Sequence, residues 1–170
     1  MNLVIIHCDG LCEPNPGGVA TYGWIARDED TGKVLKSKST PIVYAETQTT
    51  NNLAEYAALQ NVLMWLSRKA LYFLTHGKQV VIRTDSQLVV NQVRGNWKCN
   101  SPTLAVRLAI VRGMLDALQK AGVTVQLEWV PREQNAEADE LSRQAYFEST
   151  GKCPPERAPR RSRLLTSTSS

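Results

Sequence analysis

The sequence predicts an α/β protein built on a five-stranded mixed sheet, an antiparallel meander plus parallel strands, flanked by helices. Three observations carry this. Up to Tyr44 the chain holds three β-rich segments joined by short turns, and beyond it segments of helical and extended period alternate. Composition agrees: 170 residues, 42% hydrophobic and 21% charged, suit one soluble globular domain and exclude collagen-like, coiled-coil and wholly disordered chains.

The elements follow in order. Leu3-Val4-Ile5-Ile6-His7-Cys8 is an apolar run closed by Asp9-Gly10, and the next stretch, with Pro14, Asn15, Pro16, Gly17 and Gly18, is rich in turn formers, so a buried strand should end at Asp9. Val19 to Ala26 is β-branched and aromatic, Asp28 to Gly32 is a turn, and Lys33-Val34-Leu35 opens an extended segment towards Tyr44. Asn52 is a candidate N-cap for a helix over Leu53 to Ser67, with Glu55 three residues on as in a capping box. Gln79 to Thr84 reads as a strand ending at Asp85-Ser86, and Leu88, Val89 and Val93 fit a short helix. Ser101-Pro102 supplies an N-cap and a first helical residue for an amphipathic run that stops near Ala121-Gly122. Val123 to Val130 is the last strand, and Asn135 is positioned to cap a helix whose apolar face holds Ala138, Leu141, Ala145 and Tyr146.

Charge divides the chain unevenly. Residues 1–150 carry 15 Lys and Arg against 15 Asp and Glu, whereas 151–170 carry five basic residues against one acid, so the tail accounts for the whole net charge of +4. With Pro154, Pro155, Pro159, Arg160, Arg161 and a Ser/Thr-rich end, residues 149–170 are expected to be a disordered basic tail behind a domain over 1–148. Within the body, Arg94, Lys98, Arg107 and Arg112 gather near Trp97 in a stretch without acids, as solvated helix faces often do. Cys8, Cys12, Cys99 and Cys153 lack paired metal spacing and read as reduced thiols. A zinc site from His7, Cys8, Cys12 and His76 is disfavoured, because His7 and Cys8 point to opposite faces of a strand. No apolar window reaches membrane length, so the expectation is a cytoplasmic protein without membrane contact, monomeric and with no obligate protein partner.

The acids carry the chemistry. Asp9 and Asp85 each close a strand, at the edge where sheets of this type bind ligands, and Glu55 and Asp139 lie in the early turns of helices that start at the same edge. Each alone has an ordinary role, since Asp is common in turns and acids near a helix start complement its dipole. Four converging carboxylates would repel one another without a cation, and an oxygen-only donor set suits a hard divalent ion, Mg²⁺ or Mn²⁺.

Four segments resemble those of type 1 ribonuclease H: Asp9-Gly10 with Asn15-Pro16-Gly17-Gly18, Thr49-Thr50-Asn51-Asn52-Leu53-Ala54-Glu55, Thr84-Asp85-Ser86-Gln87, and Asn135-Ala136-Glu137-Ala138-Asp139. The resemblance spans about residues 1–148 and implies a ribonuclease H-like fold. It also implies endonucleolytic hydrolysis of the RNA strand of RNA–DNA hybrids, leaving 5′-phosphate and 3′-hydroxyl ends. Asp9 would bridge two Mg²⁺ ions, with Mn²⁺ as substitute. Glu55 and Asp85 would complete the ion near the leaving oxygen, and Asp139 would hold the ion that activates water. Asn15, Thr50, Asn51, Asn52 and Gln87 would contact the two strands, Trp97 would pack on deoxyribose, and Arg132 or Glu133 would stand near the scissile phosphate.

Two departures mark a subgroup. The loop Val130-Pro131-Arg132-Glu133-Gln134-Asn135 is short and lacks the histidine many relatives carry there, and the connection between Trp97 and Ser101 leaves no room for a basic handle. Two other readings stay open. A catalytically silent hybrid-binding module would bind without cleaving, and a ribonuclease H-like nuclease could act on another nucleic acid; the asparagine-rich approach to Glu55 favours the hybrid.

Overall fold

In the computed structural model, which describes residues 2–43 and 48–157, a single sheet organises the chain. Its strands are β1 (Leu3–Glu13), β2 (Val19–Asp28), β3 (Val34–Pro41), β4 (Gln79–Thr84) and β5 (Val125–Trp129), in the order β3-β2-β1-β4-β5. β1 to β3 form the expected antiparallel meander, while β4 and β5 add in parallel. The helices are α1 (Asn51–Arg68), α2 (Ala70–Thr75), α3 (Gln87–Arg94), α4 (Pro102–Lys120) and α5 (Ala136–Thr150), with a 3-10 turn at Arg132–Gln134.

Strand alternation sorts the two faces. Val4, Ile6 and Cys8 of β1 join Trp24, Val80, Ile82 and Leu127 in the main core, beneath α1, α3 and α4. α1 is buried along most of its length, and it carries Leu53, Tyr56, Leu59, Val62, Leu63 and Leu66 into that core. Its polar atoms are paired there: Tyr56 OH donates to Gln92 Oε1 at 2.7 Å, and Asn61 Oδ1 accepts from Trp24 Nε1 at 2.9 Å. α5 covers the other face and packs on β1, β2 and β3.

Several sequence expectations need correction. β1 does not end at Asp9, because its antiparallel ladder with β2 runs on to Glu13↔Val19; only the parallel ladder with β4 stops at Cys8↔Thr84. The N-cap of α1 is Thr50, not Asn52: Thr50 Oγ1 accepts from the Leu53 amide at 3.1 Å, which makes Glu55 the fifth helical residue. Asn135 precedes α5 but makes no side-chain cap, since its Oδ1 pairs with His7 Nδ1 at 3.1 Å while its Nδ2 donates to Cys8 O at 2.9 Å. α2 lacked a sequence signal because only Phe73 of its six residues is buried. β5 starts later than expected, as the Val123 amide is taken by Leu118 O at the end of α4. Ser101 and Pro102 start α4 as expected.

The tail also departs from expectation. Ser149 and Thr150 belong to α5, and residues 151–157 lie against the domain, with Pro154 buried and Arg157 half-buried. Tyr44, and the tail residues from 158 onward, lie outside the described residues. No described helix is long and apolar enough to cross a membrane.

Candidate active site

Three of the four singled-out acids meet at one point. Asp9, Glu55 and Asp85 are all buried, and each offers a carboxylate oxygen such that these atoms lie within 4.8 Å of one another. Sheet register causes this: Asp9 and Asp85 are the residues next after the last parallel pair, Cys8↔Thr84, so neighbouring strands deliver them side by side.

Glu55 arrives because α1 presses on β1 at Gly10. A Cβ at Gly10 would lie 2.2 Å from the carbonyl carbon of Ala54, so only glycine permits this approach. The Gly10 amide then donates to Glu55 Oε2 at 3.1 Å. On the opposite face Gly23, the ladder partner of Asp9, does the same for α5: a Cβ there would stand 2.4 Å from Leu141 Cβ. α5 can therefore place Ser142 so that its hydroxyl donates to Asp9 Oδ2 at 2.7 Å. Asp139, one turn before Ser142 on the same helix face, comes to the rim of the cluster with its side chain 26% exposed.

Burial and the neighbouring Asp85 and Asp139 charges push Asp9 up to about 6, against the pull of Arg157 and of the Ser142 hydroxyl. Cys8, just inside the cluster, is driven well above its ordinary range by burial and by Glu55, Asp9 and Asp85, so it stays a thiol. An oxygen-only donor set that is buried, crowded and costly to ionise fits a hard divalent cation. Asp9, Glu55 and Asp85 form the only such cluster of His, Cys, Asp or Glu among the described residues, which excludes the His7, Cys8, Cys12 and His76 arrangement there.

The remaining candidates fall into groups. Asn15, Thr50, Asn51 and Asn52 gather where the β1–β2 turn meets the start of α1: Asn15 Oδ1 accepts from the Asn51 amide at 3.0 Å, and Asn51 Oδ1 accepts from the Cys12 amide at 2.7 Å. Asn52 is half-buried in the first turn of α1, and Gln87 opens α3 two residues after Asp85. Arg132 sits within the cluster, where its Nε donates to Asp85 Oδ2 at 3.0 Å. Trp97 stands apart in the turn beyond α3, 37% exposed. The basic group near it is largely engaged with the protein itself: Arg94 donates to Leu127 O, Arg107 to Gln60 Oε1 and Arg112 to Gln92 O.

Sequence reasoning missed Ser142, Trp129 and Arg157. Ser142 carried a usable signal, its spacing of three from Asp139. Trp129 Nε1 donates to the Asp85 carbonyl at 3.2 Å, which was hidden in an ordinary strand end. Arg157 Nη1 donates to Asp9 Oδ1 at 3.1 Å and its Nη2 to Gly10 O at 3.0 Å, from a stretch whose composition gave no hint of placement.

Comparison with known proteins gives the same picture. A family described as reverse transcriptase-like matches residues 7–145. The chain is 32% identical over 142 residues to a bifunctional protein of Mycobacterium tuberculosis, covering 84% of this chain but only 35% of that protein's length. A ribonuclease H of Hydrogenovibrio crunogenus is 32% identical over 155 residues, covering 89% of this chain and all of that protein. Among solved structures, LC11 RNase H1, isolated from compost, gives a TM-score of 0.75 at 34% identity, covering 88% of this chain and 99% of that one. The same protein solved with an RNA/DNA hybrid gives 0.72 at 32% identity, covering 86% and 98%. A full-length match in sequence, the shared sheet and the converging acids together make this chain a member of the type 1 ribonuclease H family.

Proposed function

We propose that the chain is an endoribonuclease that hydrolyses the RNA strand of RNA–DNA hybrids, with Asp9, Glu55, Asp85 and Asp139 as its catalytic carboxylates. The observation that carries this reading is the buried meeting of Asp9, Glu55 and Asp85, whose ligand atoms lie within 4.8 Å of one another. The hybrid complex of LC11 RNase H1 supports the substrate class.

These carboxylates would hold two divalent ions, Mg²⁺ with Mn²⁺ as substitute. Once bound, such ions supply a hydroxide nucleophile and offset the charge that develops at phosphorus. The protein's own part is to keep the carboxylates still. Ser142 fixes one oxygen of Asp9, the Gly10 amide fixes Glu55, and Arg132 holds Asp85. The Asn15, Thr50, Asn51 and Asn52 group would read the minor groove, where the 2′-hydroxyl distinguishes RNA from DNA. Asn51 spends its side-chain oxygen on Cys12, and its amide hydrogens remain the donors to offer. Gln87 and Trp97 would extend the contact along the hybrid, and Arg132 would face the scissile phosphate. The products would carry 5′-phosphate and 3′-hydroxyl ends, and the chain would act as a monomer in the cytoplasm.

The test is incubation with a labelled RNA–DNA hybrid, single-stranded RNA and duplex DNA, with Mg²⁺, Mn²⁺ or EDTA, beside Asp9→Asn. The expected result is metal-dependent cleavage of the hybrid alone, lost in the variant. Binding without cleavage under either metal would instead mark a silent hybrid-binding module.

A further inference from the structure

We infer that Arg157 is a resident counter-cation of the carboxylate cluster, which a divalent ion must displace, so that metal binding and release of residues 151–157 are one coupled event. The inference rests on the reading of the cluster as a metal site.

The guanidinium stands on the Asp9 and Asp139 side of the cluster. Nη1 stands 3.1 Å from Asp9 Oδ1 and 3.8 Å from Asp139 Oδ1, and Nη2 donates to Gly10 O at 3.0 Å. Its side chain is only 14% exposed, and Asp9 is fully buried. Burial works against the charge on Arg157, but Asp9, Glu55, Asp139 and Asp85 outweigh it and raise its pKa above the ordinary arginine value. With Arg132 on Asp85 and Arg157 on Asp9, two guanidinium groups thus partly offset a group of carboxylates that would otherwise repel one another.

Geometry brings it there. α5 ends in a left-handed turn at Gly151, and the chain then doubles back. Asp139 to Thr150 spans about 16 Å of helix, and residues 151 to 157 can cover about 20 Å when extended. The return length therefore matches the distance to the cluster. Arg143, facing out from α5, clamps the segment by donating to Pro154 O at 2.9 Å and Pro155 O at 3.2 Å, and Pro154 is buried.

The fit is good but incomplete. Among the described residues Arg157 Nε is buried without a hydrogen-bond partner, and Asp139 Oδ1 likewise has none there, with Nη1 too distant to donate to it. A buried donor and acceptor left unsatisfied disfavour the seated state. A divalent ion brings twice the charge to the same oxygens and can replace the guanidinium, whereas the apparent metal affinity is lowered by the fraction of molecules in which Arg157 is seated.

The test uses the full chain and reads metal binding directly. Mg²⁺ and Mn²⁺ affinities are measured by calorimetry for the wild type, Arg157→Ala and Arg157→Lys, with circular dichroism to confirm folding. Arg157→Ala should bind roughly tenfold more tightly than wild type, with Arg157→Lys between them. A second reading needs no variant: trypsin cleavage after Arg157, followed by mass spectrometry in calcium-free buffer, should be slow in EDTA and fast with Mg²⁺. Equal metal affinity in all three proteins, with Mg²⁺-independent cleavage after Arg157, would overturn the role of Arg157 while leaving the metal site intact. Failure of every protein to bind either ion would overturn the metal reading and this inference with it.

Discussion

Ser142 and Asp9, 133 positions apart in sequence, meet at 2.7 Å between hydroxyl and carboxylate, and neither has measurable exposure. The hydroxyl opposes the upward push of burial on the Asp9 pKa. Ser142→Ala should therefore destabilise the metal-free protein by about 1–3 kcal/mol, because it leaves a buried carboxylate oxygen without its donor. Urea unfolding in EDTA at neutral pH measures this, and an unchanged midpoint would remove Ser142 from the site's support.

Gly10→Ala should cost about 2 kcal/mol or more, because the new Cβ would meet the Ala54 carbonyl carbon at 2.2 Å and push α1 and Glu55 away. Gly113→Ala is the contrast. Gly113 lies inside α4 with nothing within 4 Å of its would-be Cβ, so this change should stabilise by about 1 kcal/mol. Unfolding midpoints that shift in opposite directions are the expected outcome.

Asp9→Asn and Asp85→Asn should each abolish hybrid cleavage, since both carboxylates are buried at the centre of the cluster. Asp139→Asn should retain residual activity, because Asp139 stands at the rim, outside the three-acid group. Initial rates at saturating Mg²⁺ decide the order. Wild-type rates in Asp9→Asn would overturn the assignment.

Much of this architecture is legible in the sequence. Apolar runs and turn chemistry located the five strands, and the four acids lay in recognisable segments because their spacing follows from strand ends and helix starts. What stayed hidden depended on contacts between distant parts of the chain. Asn52 and Thr50 are both good caps by type, and the choice between them is made by tertiary hydrogen bonds around Asn15, Asn51 and Cys12. Basic residues near Trp97 could not announce that their guanidinium groups would be spent on backbone and Gln60 acceptors. The Pro-rich composition after Gly151 carries no periodicity, so nothing local indicated that Pro154 would be buried or Arg157 inserted.

At the opposite end of β4, Lys78 and Asp28 form an ion pair at 2.6 Å. The Lys78 hydrogen bond holds the Asp28 carboxyl below its ordinary value of 3.8. A carboxylate lowered in the folded state contributes stability that is complete above the unfolded pKa and lost as pH falls through the folded one. Asp28→Asn should therefore be less stable than wild type at pH 7, with the difference shrinking as pH drops below about 4. Thermal unfolding across a pH series checks this, and a constant difference would contradict it.

The position of α5 has a consequence for how the molecule comes into being. Among the described residues, the helix that covers the Asp9 face is also the last one made, and it carries Asp139 and Ser142 with Arg157 following. A nascent chain on the ribosome can thus assemble β1, α1 and β4 while Asp9 still faces water on that side, since N-terminal segments emerge and begin to fold first. Asp9 becomes buried only when α5 docks. Until that moment water solvates Asp9 from that side and keeps the repulsion among the carboxylates weak, so α5 closes the cluster against a sheet edge that β1, α1 and β4 already define.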